Sequence, residues 1–122
     1  DKIILNLNLP DQIIMHVDVA IAFMLSYMEL VFNSIIHAFP KNWQNPTIYI
    51  DIEKNDDNLK AKIIDNGIGI QESINKEFGK TLGLSLVESL IKYQLNGQFE
   101  IKRNTPNGTI ANIELINIEL KK

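Results

Sequence analysis

The chain has 122 residues, of which 45% are hydrophobic and 22% charged, enough for one globular domain and too few for two. Its net charge is −3 and its 12 basic side chains form no run or stripe, which excludes the usual electrostatic signature of a nucleic-acid-binding protein. Cysteine is absent, so disulfides, thiolate metal sites and cysteine nucleophiles are excluded.

These features predict a cytoplasmic protein that contacts neither nucleic acid nor a membrane. The longest apolar run, "VDVAIAFMLSYMELVF", is short for a membrane span and contains Glu29. The chain begins at Asp1 without Met, and we expect residues 1–122 to be a single-domain fragment of a longer protein.

The first half of the chain predicts two extended pieces, one long helix and a hairpin. "IILNLNL" (3–9) alternates like a strand, and "IIMHVDV" (13–19) is a candidate second short strand. Apolar residues recur at helical spacing from about Val19 to Phe39, with Asp18 as a candidate N-cap and Pro40 as the stop. "TIYIDIEKN" and "LKAKIID" predict antiparallel strands joined by a turn at "NDDN".

The second half predicts a helix from Leu82 to Gln94 and two further strands, "QFEIKR" (98–103) and "TIANIELINIEL" (109–120). Turns at Asn96-Gly97 and "NTPNG" separate them. Because helices alternate with antiparallel hairpins, the order predicts an α+β fold: a two-layer α/β sandwich with helices on one face of the sheet.

Three polar residues interrupt the long helix at spacing i, i+4, i+8: Glu29, Asn33 and His37. At 100° per residue they fall within about 80° of arc and share one side. Two interpretations stay open. The polar side is either the solvent edge of an amphipathic helix, or it directs a carboxylate and an amide oxygen at a hard cation or a reacting water.

Two glycine-containing segments also stand out. In "IIDNGIGI", Asp65 leaves an apolar strand, and Gly67 and Gly69 permit a close backbone approach, although Asp-Asn-Gly is also a common turn. In "GKTLGLSLV", Thr81 can cap a helix whose first turn holds Gly83, which suits phosphate binding or tight helix packing. The P-loop and dinucleotide-binding glycine patterns are both absent.

Taken in order, four segments are similar to the N, G1 and G2 boxes and the final strand of sensor histidine kinases: "ELVFNSIIHAFP", "DNGIGI", "TLGLSLVESLIKYQLNGQFEI" and "NGTIANIEL". The chain resembles the ATP-binding catalytic domain of the GHKL superfamily, in the short-lid branch whose G2 box reads Ser/Thr-Leu-Gly-Leu. The resemblance covers about Val17 to Leu115 and implies the Bergerat fold, a mixed sheet with helices on one face.

For the adenine end, the resemblance implies that Asp65 accepts a hydrogen bond from the adenine amino group, as an ionised carboxylate can. Gly67 and Gly69 would leave room for the nucleotide. Thr109 would help to hold adenine near Asp65, often through water.

For the phosphate end, the resemblance implies that Asn33 coordinates Mg²⁺, which prefers oxygen ligands and keeps several waters. Glu29 would orient or deprotonate the attacking group, and His37 would lie beside the nucleotide. Residues 71–80 would form the ATP lid, with Thr81 beginning the G2 box and Gly83 and Leu84 at its phosphate end.

One departure concerns charge. The family often has Lys just before the His or Tyr of the N box, and here that position is Ile36. Lys80 in the lid is a candidate for the missing cation. A second departure is the phosphoacceptor, since neither His16 nor His37 lies in the dimerising helical hairpin that the family uses.

The resemblance therefore implies an ATP·Mg²⁺-binding catalytic domain that transfers the γ-phosphoryl group to a histidine on an upstream dimerisation domain. A response regulator would receive the phosphoryl next. Two alternatives stay open: a non-catalytic GHKL nucleotide-binding regulatory module, which Ile36 favours, and a protein-serine kinase of the anti-sigma-factor type.

Overall fold

The computed structural model describes residues 2–69 and 82–119; the predicted lid, Lys80 and Thr81 lie outside these ranges. The helices are α1 (Val17–His37) and α2 (Leu82–Glu88), and π-helical turns (Ser89–Gln94) continue α2 without a break. The strands are β1 (Ile4–Asn8), β2 (Thr47–Asn55), β3 (Asn58–Asp65), β4 (Gln98–Arg103) and β5 (Thr109–Leu115). The described elements follow the predicted order, apart from the second short strand.

The strands form one mixed sheet in the order β1-β2-β3-β5-β4. β1 pairs with β2 in parallel, and the other three pairings are antiparallel. The β2–β3 hairpin turns at Asp56 and Asp57, and Asp56 has a φ of 55°, which Asp tolerates in tight turns. In the β3–β5 pair, Asp65 lies directly opposite Thr109.

The core lies between one face of the sheet and the helices. Alternate residues of the central strands are buried, such as Leu59, Ala61 and Ile63 in β3, and they pack in one cluster with buried side chains of α1 and α2. The opposite face carries charged residues, such as Asp51, Lys62 and Glu114. This confirms the predicted two-layer α+β sandwich.

Three boundaries differ from the prediction. Helix α1 begins at Val17, and its N-cap is His16 rather than Asp18: the His16 ring Nδ1 accepts the Asp18 N–H at 3.2 Å. Residues 13–16 form no strand. There Ile13 and Met15 pack against the core in an irregular segment, a role that a short apolar run supports equally well.

The final strand ends at Leu115 rather than at residue 120. Asn117 takes a φ of 55°, which turns the chain out of the sheet. Ile118 is then fully buried, and its N–H donates to the Asp57 carbonyl at 3.0 Å. Ile118, which seemed to extend β5, therefore packs in the core after a bend in the chain.

Helix α1 is apolar nearly all round, and the residues that dominate its apolar spacing do not form its buried side. That side consists of Val19, Ala22, Phe23, Ser26 and Leu30. The other apolar residues are 38% to 67% exposed: Ile21, Met24, Leu25, Met28, Phe32, Ile35 and Ile36. Periodicity alone cannot choose a face when both faces are apolar.

Helix α1 is also the one described helix that is long and apolar enough, by length and composition, to cross a membrane. The length of its longest apolar run, by contrast, predicts that it is too short for a membrane span. The core helix of a soluble protein passes the same test, and one side of α1 packs against the rest of the domain.

Candidate functional site

A cavity of about 230 Å³ lies at one end of the core, between α1, α2 and the inner face of the sheet. Its polar lining consists of Asn33, Ser34, His37, Asp65 and Thr109. The remaining wall is mainly apolar: Leu30, Ala38, Ile63, Ile68, Gly69, Leu84, Ile101 and Ala111. Convergent polar groups in an apolar cleft are typical of a small-molecule site.

Strand alternation delivers Asp65 to this cavity. The inward positions of β3 are Leu59, Ala61, Ile63 and Asp65, so the carboxylate takes the place of a fourth core residue at the end of the row. Asp65 is only 2% exposed. A buried carboxylate must be hydrogen-bonded or paired, and here hydrogen bonds from the protein satisfy that requirement.

Both carboxylate oxygens of Asp65 accept hydrogen bonds. Oδ1 accepts the Gly67 N–H at 2.9 Å, and Oδ2 accepts the Ser34 hydroxyl at 3.0 Å. Burial raises the pKa of Asp65 above its ordinary value, while the bonds from Gly67, Ser34 and the Thr109 backbone oppose that rise. When ionised, the group offers the cavity hydrogen-bond acceptors and no donor.

Ser34 is the principal site residue that the sequence reasoning missed. It follows Leu30, Tyr27 and Phe23 at spacings of four, three and four residues, on the side of α1 that faces the core. The sequence signal that could have identified it is a hydroxyl side chain on the core-facing side of α1, one residue after Asn33. Because its proton is donated to Asp65, the Ser34 oxygen also presents only lone pairs to other groups.

The two glycines of the G1 segment have different roles. Gly69 lines the cavity with a φ of 83°, a conformation that favours glycine. Gly67 does not line the cavity: a Cβ there would collide with the Ala38 carbonyl oxygen and approach the Ala38 Cβ to 2.6 Å. The expectation that Gly67 leaves room for a ligand is wrong, since its missing side chain lets the end of α1 pack against the loop.

Asn66 has a structural role in the same loop. Its side-chain oxygen accepts the Thr47 N–H at 2.8 Å, its amide donates to the Asn45 carbonyl at 3.0 Å, and its backbone carbonyl accepts the Trp43 indole N–H at 2.9 Å. These bonds tie the exit of β3 to the entry of β2. The position of Asp65 is therefore held from outside the cavity as well as from within.

The cavity brings together residues that lie far apart in the sequence. Six of the residues singled out from the sequence line it: Asn33, His37, Asp65, Gly69, Leu84 and Thr109. Glu29 is half-buried one helical turn before Asn33, and Gly83 is half-buried in the first turn of α2. Neither is part of the cavity wall, and the roles of both stay predictions.

A sequence profile of the histidine kinase-, DNA gyrase B- and HSP90-like ATPases matches residues 19–119. The chain belongs to this family. The matched range includes every predicted site residue. Because the members of this family are ATPases, ATP is the nucleotide that the domain binds.

Two sensor kinases are similar to this chain in sequence. The domain is 29% identical over 92 residues to the sensor histidine kinase PdtaS of Mycobacterium tuberculosis, across 75% of the chain and 18% of PdtaS. It is 28% identical over 83 residues to a probable C4-dicarboxylate sensor kinase of Halalkalibacterium halodurans, across 59% of the chain and 15% of that kinase. The chain thus spans less than a fifth of the length of these curated relatives.

The fold has a solved counterpart in the histidine kinase domain of a blue-light activated histidine kinase from Erythrobacter litoralis. The two superpose with a TM-score of 0.82 at 24% identity, over 94% of this chain and 52% of that one. This confirms the fold, namely a mixed sheet with helices on one face.

The described residues offer few ligands for a magnesium ion. No group of three or more His, Asp or Glu side chains within residues 2–69 and 82–119 could hold a metal by itself. Mg²⁺ keeps several waters and needs only one or two protein oxygens beside substrate phosphates. The Asn33 amide on the cavity wall, one turn after Glu29, fits that modest requirement.

Proposed function

We propose that the domain binds ATP·Mg²⁺ and transfers the γ-phosphoryl group to a histidine on a phosphoacceptor domain of the same protein, as in two-component sensor histidine kinases. The observation that carries the proposal is the Asp65 carboxylate, buried at the cavity wall and facing the helix that bears Asn33 and His37. The similarity to PdtaS and to the dicarboxylate sensor kinase supports the histidine kinase branch over a protein-serine kinase.

The size and polarity of the cavity suit the adenine base. At about 230 Å³ it is smaller than the usual pocket for a whole drug-sized ligand. The base would enter between Ile63, Ile101 and Ala111 and donate its amino hydrogens to Asp65. The triphosphate would then extend past Asn33 towards the beginning of α2.

In this arrangement the protein positions the reactants. Phosphoryl transfer forms a bond from the acceptor imidazole nitrogen to Pγ and breaks the bond from Pγ to the β,γ-bridging oxygen, which leaves ADP. Mg²⁺, when bound, would neutralise the developing phosphate charge. Asn33 would hold the metal, Glu29 would orient the acceptor imidazole or take its proton, and Lys80 would add a positive charge to the lid.

A non-catalytic nucleotide-binding role is the second candidate. Ile36 favours it, since this residue is 67% exposed, lies outside the cavity wall and brings no positive charge to the N box. In both cases a cytoplasmic location is proposed, because ATP is cytoplasmic.

The test is a titration followed by a transfer assay. ATP and ADP are titrated with and without Mg²⁺, and then the protein that includes the upstream helices is incubated with γ-labelled ATP. We expect Mg²⁺-dependent binding and an acid-labile phosphate on the upstream domain. Asp65→Asn should weaken the binding at least about thirtyfold and reduce the phosphate accordingly. Binding without transfer would support the regulatory role, and the absence of nucleotide binding would refute both.

A further inference from the structure

Two consecutive rows of side chains cross the sheet on the side of the cavity. The first row is apolar and lines the cavity: Ile63 in β3, Ala111 in β5 and Ile101 in β4. Two residues further along each strand, the side chains return to the same face of the sheet. This second row, which we call the polar row, consists of Asp65, Thr109 and Arg103. It presents a carboxylate, a hydroxyl and a guanidinium in that order.

Arg103 is exposed at the edge-strand end of the polar row. It lies outside the cavity wall, but its side chain contacts that wall at Gly69, where an added Cβ would lie 3.5 Å from the guanidinium carbon Cζ. The same Cβ would approach the carbonyl oxygen of Gly108, the residue before Thr109, to 2.9 Å. The guanidinium therefore lies at the end of the cavity, beyond Thr109 as seen from Asp65.

The residue type at this position is unusual for the chain. Arg103 is the only arginine, beside 11 lysines. A guanidinium offers several N–H donors in one plane and no acceptor, an arrangement that the ammonium group of lysine does not reproduce. Within residues 2–69 and 82–119, no carboxylate forms an ion pair with Arg103. The planar donor group beside the cavity thus has no carboxylate partner in the described part of the protein.

We propose that Arg103 recognises position 2 of the purine and, together with Asp65, selects adenine over guanine. The inference rests on the proposed function, in which the 6-amino group of adenine donates to Asp65 and Thr109 lies against the next ring atom, N1. Positions 6, 1 and 2 follow one another along one edge of a purine. The third member of the polar row, Arg103, therefore faces position 2.

The order of acceptor and donor in the polar row matches adenine and opposes guanine. Ionised Asp65 only accepts hydrogen bonds, which suits a 6-amino group and disfavours a 6-oxo group. Arg103 only donates. An amino group at position 2 would therefore set two donors against each other, and a donor left unpaired on binding costs affinity. An oxo group at position 2 would instead accept a charge-assisted hydrogen bond.

The first experiment needs no variant. Three triphosphates that share the 6-amino group and differ at position 2 are titrated calorimetrically into the wild-type chain: ATP, 2-amino-ATP and 2-oxo-ATP. We expect 2-oxo-ATP to bind at least about tenfold more tightly than 2-amino-ATP, with ATP between them. This ratio isolates position 2, because all three nucleotides have the same phosphates.

The second experiment repeats the titrations with two variants. Arg103→Ala removes the donor, and the ratio between 2-oxo-ATP and 2-amino-ATP should fall to within about twofold. Lys102→Ala is the matched control: it removes the same charge from the neighbouring residue, whose ammonium group pairs with Glu100 at 3.7 Å and lies on the opposite face of the sheet. It should keep the wild-type ratio. Each ratio is measured within one protein, so a change in stability does not alter it.

Three results would overturn the inference. Wild-type binding of ATP with no preference between the two analogues would show that Arg103 does not meet the base, and it would leave the proposed function standing. Equal weakening of all three nucleotides by Arg103→Ala, at an unchanged ratio, would assign the guanidinium to the phosphates instead. Failure of the wild type to bind any of the three would refute the proposed function and this inference with it.

Discussion

Ser34→Ala tests how the base pocket is built. The substitution removes the hydroxyl that donates to Asp65 Oδ2 at 3.0 Å. A hydrogen bond to a charged group contributes about 1.5–3 kcal/mol to stability. Alanine stabilises a helix by roughly 0.5 kcal/mol relative to serine, because its helix propensity is higher. The net loss is about 1–2.5 kcal/mol, which lowers the melting temperature by roughly 3–10 °C in a domain of this size.

The same substitution should weaken recognition of the base. Without the Ser34 donor, the Asp65 carboxylate is less firmly oriented and its pKa rises further. We expect ATP affinity to fall about tenfold, equivalent to roughly 1.4 kcal/mol. Binding of ITP, whose oxo group faces the same acceptors, should change less, so the preference for ATP over ITP narrows.

The assay is calorimetric titration of ATP and ITP, together with thermal melting. Ser26→Ala is the matched control, because Ser26 is a buried serine of the same helix that donates to the Ala22 carbonyl at 2.9 Å. It should leave both nucleotide affinities unchanged. If Ser34→Ala bound ATP and ITP like the wild type and melted at the same temperature, the assigned role of the Ser34–Asp65 hydrogen bond would be wrong.

Four further predictions concern Asp65, Gly67 and Asn33. Burial raises the pKa of Asp65 above 3.8, so its carboxyl favours folding below that pH and this contribution is lost as pH rises through the raised pKa. Asp65→Asn should therefore melt no lower than the wild type at neutral pH while binding ATP at least about thirtyfold more weakly; a large fall in melting temperature there would contradict this. In the wild type, ATP affinity should fall on acidification through the raised pKa, measured by titration across pH. Gly67→Ala should cost about 2 kcal/mol of unfolding free energy in urea, since its Cβ would overlap Ala38, and an unchanged midpoint would show that the loop relaxes. Asn33→Ala should weaken Mg²⁺·ATP binding about tenfold and leave Mg²⁺-free ADP binding unchanged; equal losses in both would assign Asn33 to the nucleotide instead.

Sequence patterns predicted the strands better than the long helix. The alternation in Thr47–Asn55 and Asn58–Asp65 predicted a hairpin that the structure confirms. In α1 apolar residues lie on both the packed and the exposed side, so spacing could not show which side packs. The bend at Asn117 was missed because Ile118 continues the apolar pattern of β5 while it enters the core from a turn.

For the site, the ordered motifs were informative and single residues were not. Asn33, His37 and Thr109 line one cavity with Asp65. The roles of Ser34 and Gly67 depend on contacts between α1 and the loop that follows β3. Ser34 and Asp65 are 31 residues apart in the chain, and Ala38 and Gly67 are 29 residues apart. No local pattern encodes such contacts.

The sequence by itself determined the order of the elements, the carboxylate at the end of a buried strand and the family, because each follows from short-range periodicity or from ordered motifs. The tertiary structure alone decided that Ser34 holds Asp65, that Gly67 makes room for Ala38, and that Val19, Phe23 and Leu30 lie on the packed side of α1. These outcomes depend on which surfaces meet when the helices pack on the sheet, and that choice is made by the whole core.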